Sequence, residues 1–266
     1  MGLRFKVVSI GVGLMVLMGA VLFFAYRRDA KLQVEQQYVE KARSIVLTAE
    51  SAREEMGRKW DQGIFTPEGL RTWAAAKQND KILSAVPVVT AWRAAMAKSK
   101  EGGYTFKVPK FQARNPKNTP DEVEARVLKL LESGTVTEHY EIDAATNSIR
   151  YFRPIKLTQE CLLCHGSPKT SIALWGRNDG RDPTGGQMED WHVGEVHGAF
   201  EVVQSLDEAD ARLAANVRQG AMLLGGLIAF GAVIFLFGVP AIINHDVVKP
   251  IALTVQQLSS GSTQVT

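Results

Sequence analysis

Two cysteines and a histidine stand together at residues 161–165, in the order Cys161, Leu, Leu, Cys164, His165. Two thiols three positions apart are placed to form thioethers with the two vinyl groups of a haem. The histidine that follows directly is then placed to bind the iron. The spacing therefore predicts one covalently attached haem c, with Cys161 and Cys164 as the attachment sites and His165 as the proximal iron ligand.

Other chemistries for this cysteine pair fit the sequence less well. A thioredoxin-like redox pair is expected at the start of a helix in a parallel βαβ unit, a pattern that is missing here. A structural zinc site needs further ligands, and the chain has only 2 cysteines. A disulfide between the two thiols is an open alternative, but it leaves His165 without a role.

A second axial ligand for the iron must come from elsewhere in the chain. An imidazole or a thioether could serve, since no third cysteine exists to supply a thiolate. His197 is favoured because two small residues follow it, which lets a flat ring approach the backbone. The alternatives are that His197 is an ordinary strand histidine and that the iron site is open or bound to water. The other candidate ligands are His139, His192, Met56 and Met188.

Basic and aromatic side chains around the motif each have two interpretations. Arg150, Arg153 and Lys169 bracket the cysteines. They could bind the haem propionates through charge-assisted hydrogen bonds, or form a solvated basic rim. Three aromatic side chains could either wall a haem or fill the core, and periodicity does not separate the two roles. These are Trp175, Trp191 and Phe200.

The composition narrows the class of protein. The chain has 266 residues and a formal net charge of +3, from 31 Lys and Arg against 28 Asp and Glu. A chain so close to charge balance has no basic excess to neutralise phosphates, so nucleic-acid binding is not expected. Two cysteines cannot support a disulfide-rich scaffold. The length fits one ordinary domain outside a membrane, with accessory segments.

Two uncharged apolar runs, residues 7–25 and 220–243, flank this domain. Both are close to or above the roughly 20 residues that cross about 30 Å of hydrocarbon, so both are predicted to be transmembrane helices. A cleaved secretory signal is the alternative for the first run. That run is longer than a typical signal core, however, and ends at Tyr26-Arg27-Arg28 rather than at a small-residue cleavage site. Pro240 in the second run is tolerated in a membrane helix.

Two spans place both ends of the chain on one side of the membrane and residues 26–219 on the other. The basic residues that flank the first span do not decide the orientation. Covalent haem attachment takes place outside the cytoplasm. Residues 26–219 are therefore predicted to be a periplasmic haem domain of a bacterial inner-membrane protein, with residues 1–6 and 244–266 in the cytoplasm.

The segment between the spans predicts an α+β domain. Residues 29–58 are expected to form one long helix, because apolar residues recur every three or four positions among charged ones. This apolar stripe could pack on its own domain or on the same helix of a second subunit. Residues 60–85 are expected to mix turns with a short helix, and residues 84–92 to be extended around Pro87 before another short helix.

The second half of the domain predicts one helix and then an antiparallel sheet. Thr119 as N-cap, Pro120 and Glu122 predict a capping box for a helix that runs to Leu131 and is ended by Gly134. Alternating polar and apolar residues predict strands, and clusters of Gly, Pro, Asn and Asp predict loops. The expected strands are residues 136–142, 148–155 and 196–203, and the expected loops are residues 107–119 and 176–187.

Beyond the second apolar run, apolar residues recur at spacings of three and four, which is typical of a coiled-coil seam. The seam begins beside Lys249-Pro250 and predicts the start of a longer cytoplasmic signalling helix. A helix lying on the inner face of the membrane is the alternative. The seam positions are Val248, Ile251, Val255, Leu258, Ser262 and Val265.

Three stretches together resemble the periplasmic, PAS-like c-type-haem sensor domains at the input end of bacterial chemoreceptors and some histidine kinases. The resemblance covers most of residues 30–205, and Lys249-Pro250-Ile251 looks like the first helix of a HAMP linker. The resemblance to these sensor domains implies a PAS-like fold, the same roles for the cysteines and the histidine, and signalling as a homodimer. A complete HAMP unit and a chemoreceptor or kinase module are not seen. The matching stretches are residues 114–121, 151–166 and 191–199.

These observations favour a transmembrane haem sensor rather than an enzyme. Reduction of the iron or binding of a small gas would shift a two-state domain, and the membrane helices would carry the change to a cytoplasmic signalling module, as in chemotaxis. A membrane-anchored monohaem electron-transfer cytochrome is the alternative, although it would need only one span. A peroxidase-like enzyme would need an open iron and a distal acid/base group such as His192 or His197, and the spacing selects neither.

Overall fold

The computed structural model describes residues 3–262, with side chains from residue 5 to residue 257. The chain forms two units: Glu35–Glu208 is one, and the helical segments on either side of it are the other. The helices are α1 (Leu3–Asp61), α2 (Pro67–Ala75), α3 (Asn79–Ser84), α4 (Pro87–Ala97), α5 (Ser99–Gly102), α6 (Glu122–Glu132), α7 (Leu162–His165), α8 (Ser171–Trp175), α9 (Asp207–Ile243) and α10 (Lys249–Ser262). The strands are β1 (Thr105–Lys107), β2 (His139–Asp143), β3 (Ser148–Lys156) and β4 (Val196–Ser205).

Both apolar runs lie inside longer helices, α1 and α9. By length and composition, these are two helices that could cross a membrane. Glycines allow them to pack closely within their unit. A Cβ atom at Gly11 would meet the ring of Phe235, and one at Gly19 would meet Ile228. Small residues commonly allow such close approach between apolar helices.

The helix predicted over residues 29–58 is confirmed as part of α1, which continues to Asp61. Its apolar stripe packs on its own domain, which was one of the two predicted alternatives. The stripe enters a core formed with side chains of the sheet such as Tyr151 and Val202. The stripe residues buried in that core are Val39, Ala42, Val46 and Ala49.

Residues 60–85 hold two helices, α2 and α3, with turns between them. Thr66 caps α2, because its hydroxyl oxygen accepts the N–H of Gly69 at 3.1 Å. The extended segment predicted around Pro87 is wrong, because Pro87 is the first residue of α4 and only Val86 before it is extended. The fixed φ and the missing N–H of proline suit that first helical position.

Helix α6 has the predicted kind of capping box, two residues later than expected. Asp121 rather than Thr119 is the N-cap: its carboxylate accepts the N–H of Glu124 at 2.8 Å, and the Glu124 carboxylate accepts the N–H of Asp121 at 2.7 Å. Arg150 also donates to the Asp121 carboxylate at 2.9 Å. A carboxylate at this position therefore serves both the helix and the sheet, whereas a threonine hydroxyl could not form the same ion pair.

The four strands form one antiparallel sheet in the order β1-β4-β3-β2. The three predicted strands are confirmed: β3 and β4 begin at the predicted residues and end one and two residues later, and β2 begins three residues late and ends one residue late. Strand β1 was not predicted, because three residues are too few to show alternation. The antiparallel α+β class predicted from the sequence is therefore correct.

The two faces of the sheet bury different partners, as alternating side chains require. One face packs on α1 through Ile149, Tyr151 and Val202. The opposite face packs on α6 through Phe152 and Ala199. A third cluster lies around the cysteine motif, and its buried residues are Leu70, Ile82, Ala85, Trp175 and Met188.

A buried ionic cluster lies on the α6 face of the sheet. Arg150 Nε donates to Glu201 Oε1 at 2.6 Å, and Lys107 forms an ion pair with Glu124. Glu201 is fully buried, and its second oxygen, Oε2, has no hydrogen-bond partner among the described residues. Burial, together with the carboxyl of Glu124, raises the pKa of Glu201 to about 8.

Residues 244–262, beyond the second apolar run, are helical. A five-residue π-helical segment, Asn244–Val248, joins α9 to α10. Helix α10 begins at Lys249, where the seam was expected to start. Of the predicted seam, Val265 and the side chains of Leu258 and Ser262 lie outside the described residues. So do residues 1–2 and 263–266 of the predicted terminal segments.

Candidate functional site

The cysteine motif forms a single short turn. A 3-10 turn, Gln159–Cys161, runs directly into the one-turn helix α7, which ends at His165. Cys161 and Cys164 are three positions apart on this turn and thus share one face. Both thiols are free and partly buried. Burial raises the pKa of the Cys164 thiol to about 12.

The His165 ring is held by a carboxylate. Nδ1 of His165 lies 2.8 Å from Oε2 of Glu189. Burial lowers the pKa of His165, although the hydrogen bond to Glu189 opposes this, and the neutral imidazole is the form that binds a metal. Nε2 has no hydrogen-bond partner among the described residues, so the ring presents one free nitrogen.

Arg114 ties the motif to the loop that follows it. Its guanidinium donates to both Glu189 oxygens at 2.9 Å and to Asp182 Oδ2 at 2.5 Å. It also donates to the carbonyl oxygens of Cys164 at 3.0 Å and Gln187 at 2.7 Å. Five donors in a fixed fork make arginine suited to such a junction. Glu189 is consequently held as an anion, and its pKa is lowered to about 2: burial alone would raise this pKa, but His165 and Arg114 outweigh it.

The motif opens into a cavity of about 430 Å³, a size typical of small-molecule and cofactor sites. Both cysteines and His165 line it. Most of the remaining wall is apolar and comes from α4, β3 and the segment after β3. Its apolar residues include Leu70, Val86, Val89, Trp92, Ile155 and Leu157.

Four basic side chains also line the cavity: Arg53, Arg93, Lys110 and Arg114. Nε of Arg53 is buried and has no acceptor among the described residues. A buried donor without a partner costs free energy, so this N–H indicates an acceptor that the chain itself does not provide. An apolar slot with two thiols, a free imidazole nitrogen and an unpaired basic donor fits a haem with its propionates.

An aromatic stack crosses the cavity. The Trp191 ring lies parallel to His165, with 4.8 Å between ring centroids, and parallel to His197, with 4.0 Å between ring centroids. Lys110 Nζ lies 4.1 Å from the centroid of Trp191, and burial lowers the Lys110 pKa to about 8. Nε2 of His197 is bonded to Glu195 at 2.8 Å. Trp191 thus stacks on both histidines.

Of the five predicted candidates for the second axial ligand, His197 is the one that lines the cavity. His139 lies on β2 and bonds Glu141, and His192 is largely exposed. Met188 is buried in the cluster under the motif, and Met56 is buried on α1. The structure brings Cys161, Cys164, His165 and His197 to the same cavity and leaves the other four elsewhere.

The basic residues predicted to bind propionates do not line this cavity. Arg150 pairs with Glu201 in the ionic cluster, and Arg153 pairs with Glu50. Lys169 is exposed outside the cavity. Proximity along the chain was misleading because β3 carries both arginines away from the motif. Trp175 and Phe200 are core residues, so only Trp191 of the three aromatics lines the cavity.

Arg114, Glu189, Lys110 and Arg53 are site residues that the motif did not reveal. They come from α1, from the loop before α6 and from the loop before β4. No spacing in the sequence links positions so far apart. The one available signal was the polar stretch at residues 114–121, which was noted only for its resemblance to a family.

Among solved structures, the chain is similar to the crystal structure of the cyanobacterial heme-protein Tll0287. The sequence identity is 17% and the TM-score 0.33, and the match covers 43% of this chain and 69% of that one. No curated protein matches the chain. A family model described as Tll0287-like matches residues 31–205, which is more than half of the sequence. The chain therefore belongs to the Tll0287-like family.

Proposed function

We propose that this protein is a membrane-anchored sensor with one covalent haem c, that it responds to a redox change or a small gas, and that it is not an enzyme. The observation that carries the proposal is the joint placement of Cys161, Cys164 and the free Nε2 of His165 at one apolar cavity. A plain disulfide or redox pair would not need such a cavity beside an oriented imidazole.

The two thiols provide the covalent attachment. Cys161 and Cys164 would each add S–H across a vinyl double bond of the haem, with a new bond from sulfur to one carbon and a new bond from hydrogen to the other. This addition is balanced without an oxidant or a reductant. Nε2 of His165 is the proposed proximal ligand, and Arg53, with its unpaired Nε, is a proposed propionate partner. When bound, the haem supplies an iron that can change oxidation state or bind a gas.

His197 is the proposed second axial ligand. It lines the same cavity as His165 and stacks on Trp191. His192 is a matched control, because it is also a histidine bonded to Glu195 but is 72% exposed. We expect His197→Ala to convert a low-spin spectrum into one that is high-spin or binds CO, and His192→Ala to leave it unchanged. If the two variants have the same spectrum, His197 is not the second ligand of the iron.

The remaining parts of the proposal concern the signal path. We propose that residues 26–219 form a PAS-like domain in the periplasm, that residues 7–25 and 220–243 cross the inner membrane, and that α10 opens a HAMP-like signalling helix of a chemotaxis-type homodimer. The short connection supports a direct path, because only Leu206 separates β4 from α9. His197 lies on the same strand.

Covalent attachment is tested by producing the full chain with a c-type haem maturation system and staining denaturing gels for haem. We expect wild-type protein to keep its haem after denaturation and Cys161→Ala/Cys164→Ala to lose it. Met188→Leu is a control in a sulfur-containing residue outside the cavity. Haem that can be extracted from denatured wild-type protein would refute the proposal.

Sensing is separated from electron transfer by hydrogen exchange of the full chain in lipid nanodiscs. Protection is compared in the oxidised, dithionite-reduced and CO-treated states. A sensor should change protection in β4 and the first turns of α9, because the site connects to the membrane segment there. A reversible change of oxidation state without any change in these segments would favour the electron-transfer cytochrome.

A further inference from the structure

Glu189 is the side chain that holds the proposed iron ligand. Its Oε2 lies 2.8 Å from Nδ1 of His165, which is the nitrogen opposite the free Nε2. A carboxylate that accepts the second N–H of a metal-bound histidine orients the ring and raises its basicity. We infer that Glu189 is a positioning residue that makes His165 a strongly electron-donating ligand and stabilises the oxidised iron; this rests on the proposed function above.

Glu189 shares its charged partner Arg114 with a second carboxylate. Arg114 bonds both oxygens of Glu189 at 2.9 Å, but it also pairs with Asp182, which is only 1% exposed. One guanidinium thus bonds two carboxylates, and Lys110 also interacts electrostatically with Glu189. Glu189 is 18% exposed and contacts the His165 ring directly, so its charge acts on that ring more strongly than a surface carboxylate would.

The backbone around Glu189 is anchored on both sides. The N–H of Met188 donates to the carbonyl of Gly180 at 3.1 Å, and the N–H of Asp190 donates to the carbonyl of Gly166 at 3.1 Å. The N–H of Trp191 donates to the carbonyl of His165 itself at 2.9 Å. The loop is therefore tied to the turn that carries His165, and the carboxylate is held in place before any cofactor binds.

The test is the midpoint potential of the haem-loaded full chain with Glu189→Gln. Glutamine keeps an acceptor oxygen for Nδ1 of His165 and removes the charge, at the loss of the hydrogen bond from Nε of Arg114. We expect the oxidised-to-reduced equilibrium to shift about 10-fold toward the reduced form, at the lower end of the effects seen for such partners of metal ligands. For a one-electron couple, 10-fold corresponds to a rise of about 59 mV.

Asp190→Asn is the matched control. It removes the same charge one residue away, where the side chain is exposed and asparagine tolerates the positive φ of 62°. Its shift should be below about 2-fold, because water and salt screen this carboxylate. Equal shifts for the two variants, or no shift for Glu189→Gln, would overturn the inference.

A measurement on wild-type protein covers the case in which Glu189→Gln fails to load haem. In reduced protein with ¹⁵N-labelled histidine, Nδ1–H of His165 should resonate far downfield and exchange slowly with water. Rapid exchange would overturn the inference. A wild-type chain that binds no haem would instead refute the proposed function, so the two failures are distinguishable.

Discussion

The buried carboxyl of Glu201 is expected to make the domain less stable at high pH. Its pKa is raised from 4.5 to about 8 by burial, with the Glu124 carboxyl adding to the effect. Between these two pH values the folded chain holds a proton that the unfolded chain has lost. Stability from this group is therefore fully present below pH 4.5 and is lost as pH rises through 8.

The size of the effect follows from the two pKa values. A group with a pKa of 4.5 when unfolded and about 8 when folded loses about 4 kcal/mol of stability between pH 5 and pH 9. The neighbouring carboxyls of Glu201 and Glu124 have pKa shifts in opposite directions. Burial alone would raise the pKa of Glu124, but interactions with Glu201, Lys107 and the N–H of Asp121 outweigh burial and lower this pKa, so the contribution of Glu124 is lost only on acidification. Arg150 and Lys107 stay charged throughout this range.

The assay is denaturant unfolding of haem-loaded wild-type protein and Glu201→Gln between pH 5 and pH 9. Glutamine resembles the protonated carboxyl, so the two proteins should be nearly equal in stability at pH 5. The variant should then become the more stable one by up to about 4 kcal/mol at pH 9. Because both proteins share every other titrating group, the difference isolates Glu201. A difference that does not change with pH would refute the reasoning.

Three further substitutions test how the site is supported. Asp121→Ala removes both the N-cap of α6 and a partner of Arg150, and should cost about 1–2 kcal/mol in chemical unfolding; unchanged stability would contradict the capping box. Trp175→Phe removes the indole N–H that donates to the Leu163 carbonyl at 2.8 Å. This substitution should lower the free energy of unfolding by about 1–3 kcal/mol and lower haem retention. Gly166→Ala should reduce covalent haem yield on denaturing gels, because its Cβ would lie 2.5 Å from the Leu162 carbonyl oxygen; a normal yield would show that α7 can shift.

Local signals in the sequence predicted most of the fold. The long helix and the strands β2, β3 and β4 have the periodicity that one buried face produces, and the structure contains all of them. The sequence-based predictions were wrong where tertiary contacts decide between two possible local structures. Thr119 and Asp121 are both good N-caps, and the partner that distinguishes them, Arg150, lies on a strand that comes later in the chain.

The site was predictable only where its residues are adjacent in sequence. Cys161, Cys164 and His165 could be recognised because one turn places them together. Two loops bring Glu189 and Arg114 to the same histidine, and no periodicity in the sequence predicts the course of these loops. Arg150 and Arg153 lie closer to the motif in sequence than either of them, but the direction of β3 takes both to other partners.

The order of strands in the sheet has a consequence for the time course of folding. Strand β1 pairs with β4, with Thr105 opposite Val203, so almost the entire second half of the domain lies in the loop that this pairing closes. Closing so long a loop is slow compared with forming a helix. The cysteine motif lies inside that loop. Until β4 docks, the cavity that its thiols line lacks the wall formed by His197 and Gly198.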